Sequence, residues 1–104
     1  MTAKKLGDIF SGISEPFTPV PLMAGKGITA HAVLVKGAFY WHRHDSADEL
    51  FVVRSGKLTI HYQDREVTLG PDEFHVVPRG AVHKTSSKDG AEVLFVGPDD
   101  WIKV

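Results

Sequence analysis

The chain has 104 residues, of which 42% are hydrophobic, and its formal net charge is −1, a composition typical of one ordinary globular domain. The basic residues form no stripe and the apolar stretches are only a few residues long, so the sequence argues against a nucleic-acid partner and a membrane span. The absence of cysteine excludes disulfides and thiolate ligands, so nitrogen and oxygen atoms must hold any metal.

Residues 1–27 are predicted to form a short helix followed by an arm. Apolar residues recur at helical spacing within residues 4–13, although Gly7 and Gly12 weaken the pattern, so we expect one short helix or helical turn. Residues 14–27 are rich in Pro and Gly and indicate an extended arm or loop. The N-terminal residues lack the long apolar core of a secretory signal, so we expect a cytoplasmic protein.

From residue 28 onward the sequence predicts strand after strand. The predicted strands are 28–35, 39–44, 49–54, 58–63, 66–69, 74–77, 82–86 and 92–96. Turn signals separate them, with a hairpin turn at Ser55-Gly56 and a turn at residues 88–90 that joins the last two strands. Many short strands with regular turn signals are typical of an all-β sandwich or closed barrel.

Four side chains along these strands form a candidate metal site. His42 and His44 are two residues apart in a predicted strand, so both imidazoles face the same way with Cα atoms roughly 6.5–7 Å apart. Two ring nitrogens at that spacing can converge on one cation, with bonds of about 2.1 Å. Glu49 begins the next strand, and its carboxylate can return toward the same point. His83 lies far along the chain and joins the cluster only if the sheet closes on itself, as a barrel does.

The residues around these four resemble the two conserved motifs of the cupin superfamily. The first motif matches Gly37, His42, His44, Glu49 and Gly56, and the second matches Gly70, Pro78, Gly80 and His83. Ser87 stands where the second motif usually has Asn, a departure that does not involve a ligand. Both motifs occur in the right order, with the short spacer of compact single-domain cupins, such as the proteins often labelled mannose-6-phosphate isomerase-like.

This resemblance implies a fold and a domain organisation. The expected fold is an all-β, cupin-type double-stranded β-helix (jelly-roll) barrel with a short N-terminal helix or arm. We therefore expect a single cupin domain over residues 1–104. Its barrel would comprise residues 28–97, after the helix and arm of residues 1–27, and residues 98–104 would form a C-terminal tail.

The resemblance also implies a cofactor and a function. Three imidazoles and one carboxylate suit a single divalent transition metal, namely Fe, Mn, Ni, Co, Cu or Zn. Four protein ligands on an octahedral ion leave two positions for substrate, water or dioxygen, as in a catalytic site. We therefore expect a metal-dependent enzyme of the dioxygenase or isomerase type acting on a small organic molecule, in which Glu49 could also serve as a base. The alternative is a non-catalytic module that binds a sugar or other small molecule.

Several other polar residues are weighed as accessory groups. Tyr40 has the strand parity of the candidate ligands, so it either contacts the substrate or packs the barrel wall. His75 lies near the second motif and is the best spare acid–base candidate. His31 and His61 lie outside both motifs, and we expect ordinary surface or partly buried strand residues there. Thr85 shares the parity of the last ligand and could line a pocket.

The apolar pattern of one predicted strand favours an oligomer. Residues 50–53 are consecutively apolar, and a strand that is apolar on both faces is buried on both. One face looks into the barrel, so the other needs a cover. We expect that cover to be a second copy of the chain in a homodimer, with contributions from the N-terminal helix and from Trp101-Ile102.

Overall fold

The computed structural model describes residues 2–104 and shows one antiparallel sheet with little helix, which confirms the predicted all-β cupin fold. The helix α1 spans Leu6–Ser11. The strands are β1 Val20–Ala24, β2 Ile28–Ala38, β3 His42–Arg43, β4 Glu49–Ser55, β5 Leu58–Tyr62, β6 Glu66–Leu69, β7 Phe74–Val77, β8 His83–Pro98 and β9 Ile102–Lys103. Within residues 2–104, no helix is long and apolar enough to cross a membrane.

The longest strand, β8, organises the sheet because it pairs with β2, β3, β4 and β5. The prediction of two strands joined by a turn at residues 88–90 is wrong, since β8 runs through that segment. Val35 pairs with Ala91 and Gly37 pairs with Ser87, so residues 88–90 lie opposite a single residue of β2. The predicted turn is therefore a bulge, which lets one strand bend around the barrel.

The turn at Gly56 does not form the predicted hairpin. Gly56 has a φ of +80°, as a tight turn requires. However, β4 pairs with β7 and with the C-terminal half of β8. In contrast, β5 pairs with β6 and with the N-terminal half of β8. Within residues 2–104, β4 and β5 therefore share no ladder. The turn transfers the chain from one part of the sheet to another, as in a jelly roll.

Three segments differ from the predicted boundaries. The predicted arm contains β1, which pairs with β2, and Pro21 is tolerated there because β1 is an edge strand. The predicted strand over 39–44 contracts to β3. The predicted tail contains β9, which pairs with β3. The N- and C-terminal segments thus extend the sheet at both ends.

Alternate residues of the strands fill the barrel. The core contains Val33, Val35, Phe51, Val53, Leu58, Ile60, Leu69, Val77, Ala91 and Val93. Along β4, Glu49, Phe51 and Val53 are buried, whereas Leu50 and Val52 on the opposite face are half-buried. Glu49 is therefore the one charged residue on the inner face of β4, and it is the first residue of that strand.

Substitution of Gly56 by alanine should destabilise the fold strongly. A Cβ atom there would overlap the backbone carbonyl oxygen of Gly90 and lie 2.9 Å from the Ala91 Cα, in addition to the positive φ. We expect Gly56→Ala to lower the free energy of unfolding by at least about 3 kcal/mol, measured by urea denaturation. Gly80→Ala is the matched control, because Gly80 has a φ of +82° but nothing within 4 Å of a Cβ, so it should lose only about 1 kcal/mol. Equal losses would contradict the steric argument.

Candidate metal centre

The structure brings the four predicted ligands together. His42 lies on β3 directly opposite His83, the first residue of β8, while Glu49 begins β4 and His44 follows β3. One ligand atom from each residue lies within 4.8 Å of all the others. All four side chains are buried, with exposed fractions of 9% or less. The strand ends at one end of the barrel therefore converge on one buried point.

The spacing of the donor atoms fits a metal ion. The Glu49 Oε1 atom lies 3.1 Å from His44 Nε2 and 3.3 Å from His83 Nε2. Ligands that bond one ion at about 2.1 Å and right angles are separated by about 3.0 Å. Among residues 2–104, the buried His44 Nε2 has no hydrogen-bond partner of acceptable geometry despite that short distance. His83 Nε2 is within hydrogen-bonding distance of the Glu49 carboxylate, whereas among the described residues His44 Nε2 is left without a partner that a shared metal ion would supply.

Backbone carbonyl groups orient all three imidazoles. The Nδ1 atoms of His42, His44 and His83 donate to the carbonyl oxygens of Tyr40, Asp100 and Ala81, at 2.7, 2.6 and 2.9 Å respectively. A proton on Nδ1 leaves the lone pair of a neutral imidazole on Nε2, which faces the cluster. Each histidine is therefore held in the tautomer and the direction that metal binding requires.

The C-terminal segment supplies one of these supports, and the sequence analysis missed it. Beyond its carbonyl bond to His44, Asp100 accepts hydrogen bonds on its carboxylate from the Asp45 amide, at 3.0 Å, and from the Ser46 hydroxyl. The Trp101 ring lies 5.8 Å from the His42 ring, centroid to centroid. No local motif marks these residues, because their role arises only when β9 pairs with β3.

Gly97 is a second residue that the sequence analysis missed. It is buried on β8 beside β4, and a Cβ atom there would lie 3.0 Å from the Glu49 Cγ and 3.2 Å from the Glu49 Cβ. These separations are tighter than ordinary van der Waals contact. A glycine at this position therefore leaves room for the Glu49 side chain.

The charges of the site suit a cation. Burial would raise the pKa of Glu49, but its close polar interactions with the His44 and His83 imidazoles lower that pKa to about 2. Desolvation lowers the pKa of His42 to about 4, so this ring is neutral at pH 7. Burial also works to lower the pKa of His44, yet the adjoining Glu49 carboxylate outweighs it and raises that pKa. The cluster thus combines an ionised carboxylate with imidazoles in a buried setting.

A cavity of about 380 Å³ opens beside the four ligands, and His42, His44 and Glu49 form part of its wall. Most of the remaining wall is apolar or aromatic. The aromatic residues that line it are Phe17, Phe39, Phe51, Phe95 and Trp101. A cavity of this size, with apolar walls and a few convergent polar groups, is typical of a site for a small organic molecule.

The predicted accessory residues Tyr40 and His75 lie apart from this cavity. Tyr40 is 57% exposed, and the Lys103 ammonium lies 4.0 Å from its ring centroid. It lies between β2 and β3, outside any strand, so the parity argument does not apply to it. His75 on β7 shares a 2.7 Å hydrogen bond with the Tyr62 hydroxyl. Neither side chain belongs to the wall that the ligands share.

Two other residues do line the cavity. Thr85 faces it, as its parity with His83 predicts. His31, expected to be an ordinary strand residue, also lines it and stacks on Phe95 with ring centroids 4.9 Å apart. His61 is different, since it contacts Ser86 and Glu66 outside this cavity. The inward parity of His31 on β2 was the signal that could have distinguished these two histidines.

Comparisons with known proteins agree with this geometry. The cupin domain family matches residues 31–97. A cupin-2 domain containing protein from Shewanella frigidimarina NCIMB 400 is 30% identical, with a TM-score of 0.86 over 91% of this chain and 93% of that one. Hydroquinone 1,2-dioxygenase from Sphingomonas sp. TTNP3 is similar in fold alone, with 14% identity and a TM-score of 0.74 over 86% of this chain and 70% of that one.

One curated relative matches a shorter region. The uncharacterized protein YdbB of Bacillus subtilis strain 168 is 40% identical over 52 residues, which are 49% of this chain and 46% of YdbB. The match therefore spans less than half of that relative's length, and it carries no activity across. The chemistry of this chain has to be argued from its own side chains.

Proposed function

This chain belongs to the cupin family, and we propose that it is a metal-dependent enzyme acting on a small organic molecule, of the dioxygenase or isomerase type. The observation that carries the proposal is the convergence of four buried donor atoms, three of which belong to residues that line a mainly apolar cavity. A purely structural metal site would be closed on all sides by protein, whereas this one adjoins space for a ligand. That adjacency favours chemistry over a structural role.

The residues of the site would divide the work in a simple way. The Nε2 atoms of His42, His44 and His83 and the carboxylate of Glu49 would hold one divalent ion. When bound, such an ion supplies Lewis acidity toward a carbonyl or enediol, or a binding position for dioxygen. The apolar wall, including Phe51, would exclude water from the substrate.

The predicted catalytic roles of Glu49, Tyr40 and His75 differ in how well the structure supports them. A carboxylate whose pKa lies near 2 is a weak base at neutral pH, so Glu49 suits the role of ligand better than that of proton acceptor. Its second role as a base stays a prediction. So do the accessory roles of Tyr40 and His75, whose side chains lie outside the cavity wall.

Removal of one ligand should abolish metal binding. We expect the purified protein to hold about one equivalent of a divalent transition metal and His44→Ala to weaken binding at least about 100-fold, because loss of even an outer support costs 10- to 100-fold. Elemental analysis and metal titration measure both values. His61→Ala is the matched control, since His61 lies outside the cavity and should leave metal content unchanged. Unchanged metal content in His44→Ala would contradict the ligand assignment.

An oxygen-uptake screen tests the dioxygenase branch. The Fe- and Cu-loaded proteins are presented with catechols, flavonols and β-diketones, and His44→Ala is the inactive control. Uptake by the loaded protein alone would support a dioxygenase. If no metal and substrate class gives uptake, that branch is wrong, and the same loaded protein is then tested for isomerisation of small sugars. Binding without turnover in either assay would instead support the non-catalytic binding module.

We also propose that the protein is a homodimer that covers the outer face of β4, β7 and β8. The outward residues Leu50 and Val52 pair with Val76 and Phe74 of β7 and with apolar positions of β8. Phe74 is 66% exposed and Val76 is 43% exposed. A continuous apolar sheet face of this kind is typical of a contact surface, and a second copy would cover it by twofold symmetry.

Charge placed on that face should break the proposed dimer. We expect the native protein to have the mass of two chains by size-exclusion chromatography with light scattering, and Phe74→Lys to have the mass of one. Val104→Lys is the control. Val104 is 60% exposed, and it follows β9, which pairs with β3 rather than with β4 or β7. A monomeric native protein, or a dimer that Phe74→Lys leaves intact, would overturn this surface as the interface.

A further inference from the structure

We propose that Ser86 is a nucleophile activated by His61 and Glu66, and that the protein hydrolyses small carboxylic esters at this second site. The three side chains lie on the outer face of the barrel, in the order of a serine–histidine–carboxylate triad. The inference goes beyond the proposed function, because it uses neither the metal ligands nor the cavity beside them.

Strand pairing places the three side chains next to one another. His61 of β5 pairs with Glu66 of β6 on one side and with Lys84 of β8 on the other. Ser86 follows Lys84 by two residues, so both side chains lie on the same face of β8. Residues that alternate with them along β5 and β8, such as Ile60, are buried in the barrel. The cluster therefore faces outward, away from the core.

The contacts within this cluster are those of an activated serine. His61 Nε2 lies 2.7 Å from the Ser86 Oγ atom. The Nδ1 atom of the same ring lies 3.2 Å from Glu66 Oε1. Because an ionised carboxylate only accepts hydrogen bonds, the imidazole proton belongs on Nδ1, and Nε2 accepts the hydroxyl proton of Ser86. A base held in that tautomer, in contact with the hydroxyl that it deprotonates, is what catalysis by serine requires.

The surroundings of Ser86 indicate the class of substrate. The Cα atoms of Lys84 and Ser86 are roughly 6.5–7 Å apart, and the Lys84 ammonium lies 5.0 Å from the centroid of the Trp41 ring. A recess of about 400 Å³ is lined by Trp41, Tyr62, Gln63, Val82 and Val104. An ester whose carbonyl group lies at Ser86 can therefore extend an aryl group past Lys84 toward this recess. The Lys84 ammonium supplies positive charge for the developing oxyanion.

The cluster stays accessible in the proposed dimer. That dimer covers the part of the outer face where β4 pairs with β7 and with the C-terminal half of β8. Ser86 lies in the N-terminal half of β8, and the Glu66 side chain is 63% exposed. Water can therefore reach an acyl group on Ser86, which favours hydrolysis over a stable modification. The open face also favours small, unhindered esters.

The reaction balances without a cofactor. The Ser86 Oγ atom attacks the carbonyl carbon of the ester while its proton passes to His61 Nε2. The bond from that carbon to the leaving alcohol then breaks, and the alcohol oxygen takes this proton. Water next attacks the acyl carbon and gives a proton to His61, which returns it to Ser86 as the carboxylic acid leaves. The Glu66 carboxylate stabilises the imidazolium formed in both steps, so Glu66 is a positioning residue.

Irreversible labelling tests the nucleophile. The purified protein is incubated with phenylmethylsulfonyl fluoride, whose sulfur–fluorine bond breaks as Ser86 Oγ bonds to sulfur. We expect one sulfonyl group per chain, located on Ser86 by mass spectrometry of peptides. His61→Phe should slow this labelling at least about 100-fold, since it removes the general base. Ser55 is the internal control and should stay unlabelled, because its hydroxyl contacts the Glu92 carboxylate rather than an imidazole.

Steady-state hydrolysis of p-nitrophenyl acetate separates the other roles. Glu66→Gln should lower kcat and leave KM unchanged, because Glu66 acts on a charge that develops in the transition state. Trp41→Ala should raise KM and leave kcat unchanged, because the recess binds the aryl group equally before and during the reaction. Ser55→Ala is the matched control and should change neither value.

Three results would overturn the inference. One is labelling of other residues without Ser86, and another is equal labelling rates in the native protein and in His61→Phe. The third is loss of ester hydrolysis after treatment with EDTA, which would assign the hydrolysis to the metal centre instead. Retention of hydrolysis after EDTA treatment, together with its loss in Ser86→Ala, is the result we expect.

Discussion

Antiparallel pairing along β8 joins this strand to β2, β3, β4 and β5 and so brings both ends of the candidate ligand set together. The first residue of this strand, His83, pairs with His42, and Gly97 near its other end leaves room for Glu49. The bulge at residues 88–90 lets one strand run past both halves of the barrel. Ligands that are far apart in the sequence therefore meet because a single strand fixes their relative positions. Most of the entropic cost of ordering the site is thus shared with the fold itself.

A second layer of the site acts through backbone groups rather than side chains. Each ligand imidazole donates its Nδ1 proton to a carbonyl oxygen, and the carbonyl of Asp100 comes from the segment after the barrel. That segment is held by β9 and by hydrogen bonds from Asp45 and Ser46 to the Asp100 carboxylate. The matched family region ends at residue 97. The C-terminal residues are thus part of the site although they lie outside that region.

The sequence predicts which four side chains converge, because their identity and spacing match the two motifs. It predicts less about features that depend on tertiary pairing. The Pro-rich segment was predicted as an arm although it contains β1, because an edge strand tolerates Pro21. Gly56 gives the same turn signal whether or not the strands on either side of it pair with each other. The histidines His31 and His61 both lie in strands, and strand parity separates them once the inward face of each strand is known. The register of β2 against β8 shows that face for His31.

The charge of the ligand set limits what the cavity can hold. Metal binding requires neutral imidazoles, and with these the ionised Glu49 carboxylate would give the ligand set a charge of −1, so a bound divalent ion would retain a net charge of about +1 in surroundings of low dielectric constant. The cavity walls are mainly aromatic, and Asp99 and Asp100 add negative charge. The complementary molecule therefore carries its anionic or polarisable oxygens at the ion and apolar surface along Phe51 and Phe95.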